Sequence, residues 1–174
     1  MRLKGKTIGI LAGPGFEDLE FWVPYMRTKE EGAAVKVIGT KTGETHPSKS
    51  GGLTATSEVA AKDVSADELD ALIVPGGWAP DKLRRDPHIL QLLRDMNSQG
   101  KILGLICHGG WVAASAGICK GKQATGSEGI KDDMENAGAT WVDAPAFREG
   151  NLVWGRVVED IPDFCRELVK AIAE

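Results

Sequence analysis

Lys101-Ile102-Leu103-Gly104-Leu105-Ile106-Cys107-His108-Gly109-Gly110-Trp111 decides the fold. The apolar run from Ile102 to Ile106 does not alternate with polar residues. That pattern belongs to a strand covered on both faces, as in the middle of a parallel sheet. The run ends at Cys107, two glycines follow within three residues, and a helical pattern covers Trp111 to Ala116. A strand that breaks sharply into a helix at a nucleophilic side chain is a nucleophile elbow, here with sulfur in the place of a serine oxygen.

Working outward, the same alternation repeats. Towards the N-terminus, Leu69–Val74 reads as a strand closed by Pro75-Gly76-Gly77. Pro87–Gln99 reads as a helix opened by proline and followed by Gly100. Thr7–Ala12 and Ala34–Ile38 are further strands. Between them the spacing predicts a helix over Asp18–Glu31, interrupted by Pro24 and ended by Gly32, with Leu19, Trp22, Val23 and Met26 as its apolar face. Thr40–Ser57 is rich in turn formers and reads as loops with a short hairpin. Towards the C-terminus come a short strand at Gln123–Thr125, a helix at Lys131–Ala137, a strand at Asn151–Val157 and a closing helix at Ile161–Ala173. This order predicts an α/β sandwich with a mainly parallel sheet, in one domain spanning 1–174. Ligands of such sheets bind beyond the carboxyl ends of the strands. Three loops leave strands there: Gly13–Asp18, Gly76–Asp81 and Cys107–Gly110.

Composition narrows the function classes. The chain has 174 residues, 42% hydrophobic and 26% charged, with 21 Lys and Arg against 25 Asp and Glu for a net charge of −4. An acidic balance without a basic cluster argues against a nucleic-acid surface. No apolar run approaches the roughly 20 residues a bilayer requires. The basic start, Met1 to Lys6, is followed by too short an apolar stretch to be a signal peptide. Three scattered cysteines make no disulfide framework, so a reducing compartment, the cytoplasm, is expected.

The elbow carries the chemistry. A helix N-terminus favours negative charge and is expected to lower the Cys107 thiol below its free value of about 8.5. Its amides can also face a developing oxyanion. His108 follows directly and reads either as a general base or as a residue whose backbone amide matters more than its ring. Gly77 can bring its N–H to a bound carbonyl. Trp78 and Trp111 flank the two loops as pocket walls, and Gly76 is a further substrate-binding position beside them. Gly13-Pro14-Gly15-Phe16-Glu17-Asp18 is not a dinucleotide fingerprint: Asp18 stands where the third glycine belongs, and three acids crowd the turn. Glu17 reads instead as a carboxyl group reaching toward Cys107. No spacing of His46, His88, Cys119 or Cys165 suits a metal, and no cofactor or metal is expected.

Taken together, Phe16-Glu17-Asp18-Leu19-Glu20, Pro75-Gly76-Gly77, Ile106-Cys107-His108-Gly109, Ser115-Ala116-Gly117 and Gly129-Ile130-Lys131-Asp132-Asp133 resemble the ThiJ/PfpI family. Asn136-Ala137-Gly138-Ala139 and Trp141-Val142-Asp143 fit its PfpI branch. The resemblance implies a flavodoxin-like three-layer sandwich, a homodimer or higher homo-oligomer, and Cys107 as nucleophile on a strained elbow. It implies Glu17 as the carboxyl bonded to that sulfur and the Gly77 and His108 N–H groups as the oxyanion pocket. Asp81, from a neighbouring subunit, would complete a Cys-His-acid set. The activities it implies are intracellular peptidase, deglycase, cofactor-free glyoxalase and stress protection, on a peptide or small carbonyl substrate. A redox-sensing role through Cys107 oxidation and a non-catalytic dimeric module remain as alternatives. The chain departs from the family pattern at Leu105, at Gly110, after Arg156 and at Gly126-Ser127-Glu128, where an aromatic wall is lost and an acid is gained.

Overall fold

Seven strands build the central sheet of the computed structural model, which describes residues 1–174. In chain order the elements are β1 (Thr7–Leu11), α1 (Asp18–Glu30), β2 (Ala34–Gly39), β3 (Thr45–Pro47), β4 (Thr54–Thr56), β5 (Val59–Ala60), β6 (Ala71–Val74), α2 (Ala79–Leu83), α3 (Pro87–Ser98), β7 (Ile102–Ile106), α4 (Gly110–Ala116), β8 (Gln123–Ala124), α5 (Lys131–Asn136), β9 (Thr140–Trp141), β10 (Ala146–Glu149), β11 (Leu152–Gly155) and α6 (Ile161–Ala173). The sheet order is β10-β11-β7-β6-β1-β2-β5, with every pairing parallel except β10 with β11. The pairs β3–β4 and β8–β9 stand apart.

Burial explains the unalternating runs. All four residues of β6 and all five of β7 are buried, because helices cover both sheet faces. Helices α1 and α6 pack against one face, and α3 and α4 against the other, which makes the three-layer flavodoxin-like sandwich. Leu72, Ile73, Leu103, Leu105, Phe164 and Leu168 belong to one continuous core.

The chain runs from β1 outward to β2, then returns to place β6 on the other side of β1. That reversal is the topological switch point where doubly wound sheets hold their ligands. The loops after β1, β6 and β7 therefore meet at one edge. An antiparallel bridge between Phe16 and Gly77 ties the first two together.

Helix α1 differs from its sequence reading. Leu19, Val23 and Met26 are exposed and Trp22 is half-buried; Glu20, Phe21, Pro24 and Thr28 face the sheet instead. Phe21 packs on Phe16 with the rings tilted and their centroids 4.9 Å apart, both side chains lying in the core. The Thr28 hydroxyl donates to the Pro24 carbonyl at 2.8 Å, so a polar side chain on the inward face is satisfied by its own helix. No helix is long and apolar enough to cross a membrane.

Candidate active site

The elbow is built by backbone strain. Cys107 has φ of +57°, the only positive φ outside glycine in the chain. A side chain in that region is unfavourable and persists only where its surroundings hold it. Gly109 allows the tight return: a Cβ there would lie 2.3 Å from the Val74 carbonyl oxygen at the end of the neighbouring strand. The turn also brings two adjacent side chains together. Cys107 Sγ lies 3.2 Å from His108 Nδ1, a contact that spacing alone leaves open.

The backbone amides of His108 and Gly77 lie close enough to the Cys107 sulfur to pull its titration down. Gly77 and His108 both line the cavity that holds the sulfur.

The carboxyl group against that sulfur is Glu20, not Glu17. Glu17 is the N-cap of α1, and its Oε2 accepts the N–H groups of Leu19 and Glu20, both at 2.8 Å. A capping side chain is folded back on its own helix, so Glu17 lines the cavity without being the sulfur's partner. Glu20, three residues on, is fully buried; its Oε2 accepts the Gly76 N–H at 2.7 Å, and its carboxyl bears on Cys107 by charge and hydrogen bonding. Its buried Oε1 has no hydrogen-bond partner. Gly76 does not line the cavity either. It is the position that lets Glu20 and Cys107 approach, since a Cβ on it would fall 2.4 Å from Glu20 Oε2 and 2.8 Å from Cys107 Cβ.

These contacts reverse the expected thiol shift. Burial, then the charge and hydrogen bond of Glu20, push Cys107 from 9.0 up to about 12, against the pull of the His108 and Gly77 amides. The helix-terminus effect is outweighed because the sulfur is largely desolvated beside an acid. Burial likewise pushes Glu20 from 4.5 up to about 7; the Gly76 amide pulls it down and the Glu17 charge adds to the rise. Carboxyl and thiol are therefore one protonation system, with Glu20 near the neutral point. Burial lowers His108 below its ordinary value, and Lys49 adds to that shift.

The cavity over this pair has a volume of about 250 Å³. Trp78, Lys49, Ser127 and the Val157–Glu159 segment complete its walls. A second cavity of about 440 Å³ shares Val157 with the first and includes Gly126, Glu128, Trp141 and Arg156. Arg156 is committed there to Asp143 at 2.7 Å and Asp160 at 2.8 Å. Trp111 is a support rather than a wall: its ring meets His108 edge-on at 5.0 Å, and its Nε1 donates to Asp133 at 2.8 Å. Asp81 lies outside the cavity of its own chain, where Arg85 holds it at 2.6 Å. No group of three His, Cys, Asp or Glu side chains is placed to hold a metal ion.

Glu20 and Lys49 are the residues the sequence reading missed. A signal existed for the first: with a helix starting at Asp18, residue 17 is the cap and residue 20 turns toward the sheet edge.

A sequence model of the DJ-1/PfpI family matches residues 6–171. The chain belongs to the DJ-1/PfpI family. Among relatives in that family, a deglycase of Pyrococcus abyssi is 42% identical over 94% of this chain and 97% of its own length. General stress protein 18 of Bacillus subtilis is 37% identical over 94% of this chain and 95% of its own. Among solved structures, a two-domain protein of Anabaena variabilis with DJ-1/ThiJ/PfpI-like and ferritin-like domains superposes with a TM-score of 0.93 at 35% identity. That match covers 95% of this chain and 47% of the longer one, so this chain spans about half of that protein. DJ-1/PfpI membership accounts for the sandwich, and the elbow stands at the end of β7, the fifth strand from the β5 edge.

Proposed function

We propose that the protein is a cysteine-dependent enzyme that acts on carbonyl adducts, of the deglycase type, with a role in protection against reactive carbonyls. One observation carries the reading: Cys107, held at positive φ, lines a cavity with Gly77 and His108, and the buried Glu20 carboxyl is brought up to it across Gly76. A nucleophile that adds to a carbonyl carbon needs those three partners.

In this scheme the sulfur forms a C–S bond and the carbonyl π pair moves onto oxygen, between the N–H groups of Gly77 and His108. The thiol proton passes to the Glu20 carboxylate, which then holds it on the otherwise unpartnered Oε1. When the carbon–nitrogen bond of an adduct breaks, its electron pair leaves with the amine, which takes the same proton; the oxyanion re-forms the carbonyl on the sulfur-bound carbon, and water then adds to that carbon so that the C–S bond breaks and the thiol regains its proton. Both relatives' names, deglycase and general stress protein, support the class. Peptide cleavage by the same sulfur would call on Asp81 from a second copy, since Arg85 holds this one outside the cavity.

The test is turnover. Methylglyoxal-modified lysine and arginine peptides are incubated with the protein, and release of the free amine is followed. Release that disappears in Cys107→Ala is the expected result. Equal release by both proteins overturns the proposal, as does Cys107 that is oxidised by peroxide while no adduct is turned over.

A further inference from the structure

Lys49 is the one lysine or arginine on the walls of the Cys107 cavity. It forms no ion pair, although Glu17 and Glu159 line the same space. Its ammonium lies over the indole of Trp78, 5.1 Å from the ring centroid. Trp78 itself is 63% exposed, unusual for so large an apolar side chain.

The turn that carries Lys49 is rigidly anchored. Its own N–H donates to the Phe16 carbonyl at 2.7 Å. On either side, the hydroxyls of Ser48 and Ser50 both donate to Asp18 Oδ1, at 2.6 and 2.5 Å, and the Ser50 N–H reaches Asp18 Oδ2 at 3.2 Å. One α1 carboxylate thus clamps the residues flanking the lysine and presents it beside the cavity. The backbone N–H of Trp78 donates to Gly15 at 2.8 Å, which fixes the indole against the same loop. A preorganised, unpaired ammonium on an exposed aromatic platform suits a ligand anion.

Glu17 adds a carboxylate at the start of α1 on the Lys49 side, and Glu159 adds another on the far side. Glu159 follows β11, which lies beyond β7 from the β1 and β6 loops, so Cys107 stands between Lys49 on one side and Glu159 on the other.

We propose that Lys49, seated on Trp78, is a substrate-binding residue for a carboxylate or phosphate carried by the carbonyl compound, and that Glu159 faces the amine-bearing end, so that the cavity orients its substrate by charge. This rests on the carbonyl-attack reading of the same cavity and adds its substrate class. Lys49 is a positioning residue in the reaction, and its charge also reaches His108 and Glu20.

The decisive experiment needs no turnover. Cys107 is alkylated with iodoacetate and, separately, with iodoacetamide, and its peptide is quantified by mass spectrometry. In both reactions sulfur forms a bond to the methylene carbon and iodide leaves. The ratio of the two rates cancels any change in thiolate fraction and reports only how the cavity receives a negative charge. Lys49→Ala is expected to lower that ratio about five-fold, the effect of one unit charge at a partly screened site. Lys49→Arg is expected to restore it, and Glu159→Gln to raise it. A ratio that Lys49→Ala leaves unchanged overturns the proposal, whether or not the protein turns over any adduct.

Matched substrates then separate the two anions. Carboxyphenylglyoxal against phenylglyoxal tests the carboxylate, and glyceraldehyde 3-phosphate against glyceraldehyde tests the phosphate. A lower KM for the charged member, lost in Lys49→Ala, identifies which one. Equal KM values within both pairs in the unaltered protein overturn the assignment.

Discussion

Cys107 and Cys119 occupy two regions that look alike by titration, although Cys107 is half-buried and Cys119 buried. Burial is the leading cause in both, and it pushes both thiols from 9.0 up to about 12. Their company differs. Cys119 lies in the apolar core with only the Lys122 charge acting on it. Cys107 is held at positive φ with two amides and the Glu20 carboxyl on its sulfur, at the floor of a cavity. The lesson is that desolvation alone makes a thiol inert. A proton acceptor and oxyanion donors in the same place are what can make a desolvated thiol useful.

The largest expected contrast comes from removing each sulfur. Cys107→Ala should reduce kcat/KM on carbonyl adducts at least about a thousand-fold, whereas Cys119→Ala should change it less than about two-fold. A comparable loss from Cys119→Ala would erase the distinction between the regions.

Glu20→Gln should come next. Without a carboxylate to take the thiol proton, kcat should fall about a hundred-fold. The same change removes the negative charge that raises the thiol, so alkylation of Cys107 should shift to lower pH. An unchanged or higher titration would show that Glu20 does not govern the sulfur.

Stability offers a third measure. Glu20 is raised on folding from 4.5 to about 7, so its contribution is fully present below pH 4.5 and is lost as pH rises through about 7. At 1.36 kcal/mol per unit the loss amounts to roughly 3 kcal/mol. Denaturant unfolding should therefore show the unaltered protein losing stability relative to Glu20→Gln between pH 4.5 and pH 8, with parallel curves counting against the burial of this charge.

The smallest effect belongs to Glu17. Glu17→Ala removes the α1 cap and should cost about 1 kcal/mol in unfolding free energy. Its kcat should change far less than that of Glu20→Gln. The reverse ranking would return the catalytic carboxyl to residue 17.

Much of the fold was legible in the sequence because two-sided burial leaves a direct trace. The strands at β1, β6 and β7 and the helices at α3 and α6 fall within two residues of their expected bounds. The antiparallel edge strand β10 was not anticipated, since Ala146–Glu149 has neither an apolar run nor alternation strong enough to mark it. The α1 stripe misled for a related reason. Periodicity locates an apolar face but not its neighbours, and Leu19, Val23 and Met26 lie outward while Phe21 meets Phe16. At the site, Cys107 and His108 could be named from the strand-to-helix turn, and Gly77 from the glycine-rich loop that closes β6. Lys49 could not, because it lies in a serine- and glycine-rich loop far from the elbow in sequence.

By itself, the order of residues determined an α/β sandwich with a cysteine at the turn after its central strand, because local propensity and unalternating burial act over neighbouring positions. Tertiary structure decided which acid meets the sulfur, which way the thiol titrates and which cation enters the cavity. Those depend on distances between segments brought together by strand order and on the water excluded between them, and neither quantity is encoded in the spacing of residues along one chain.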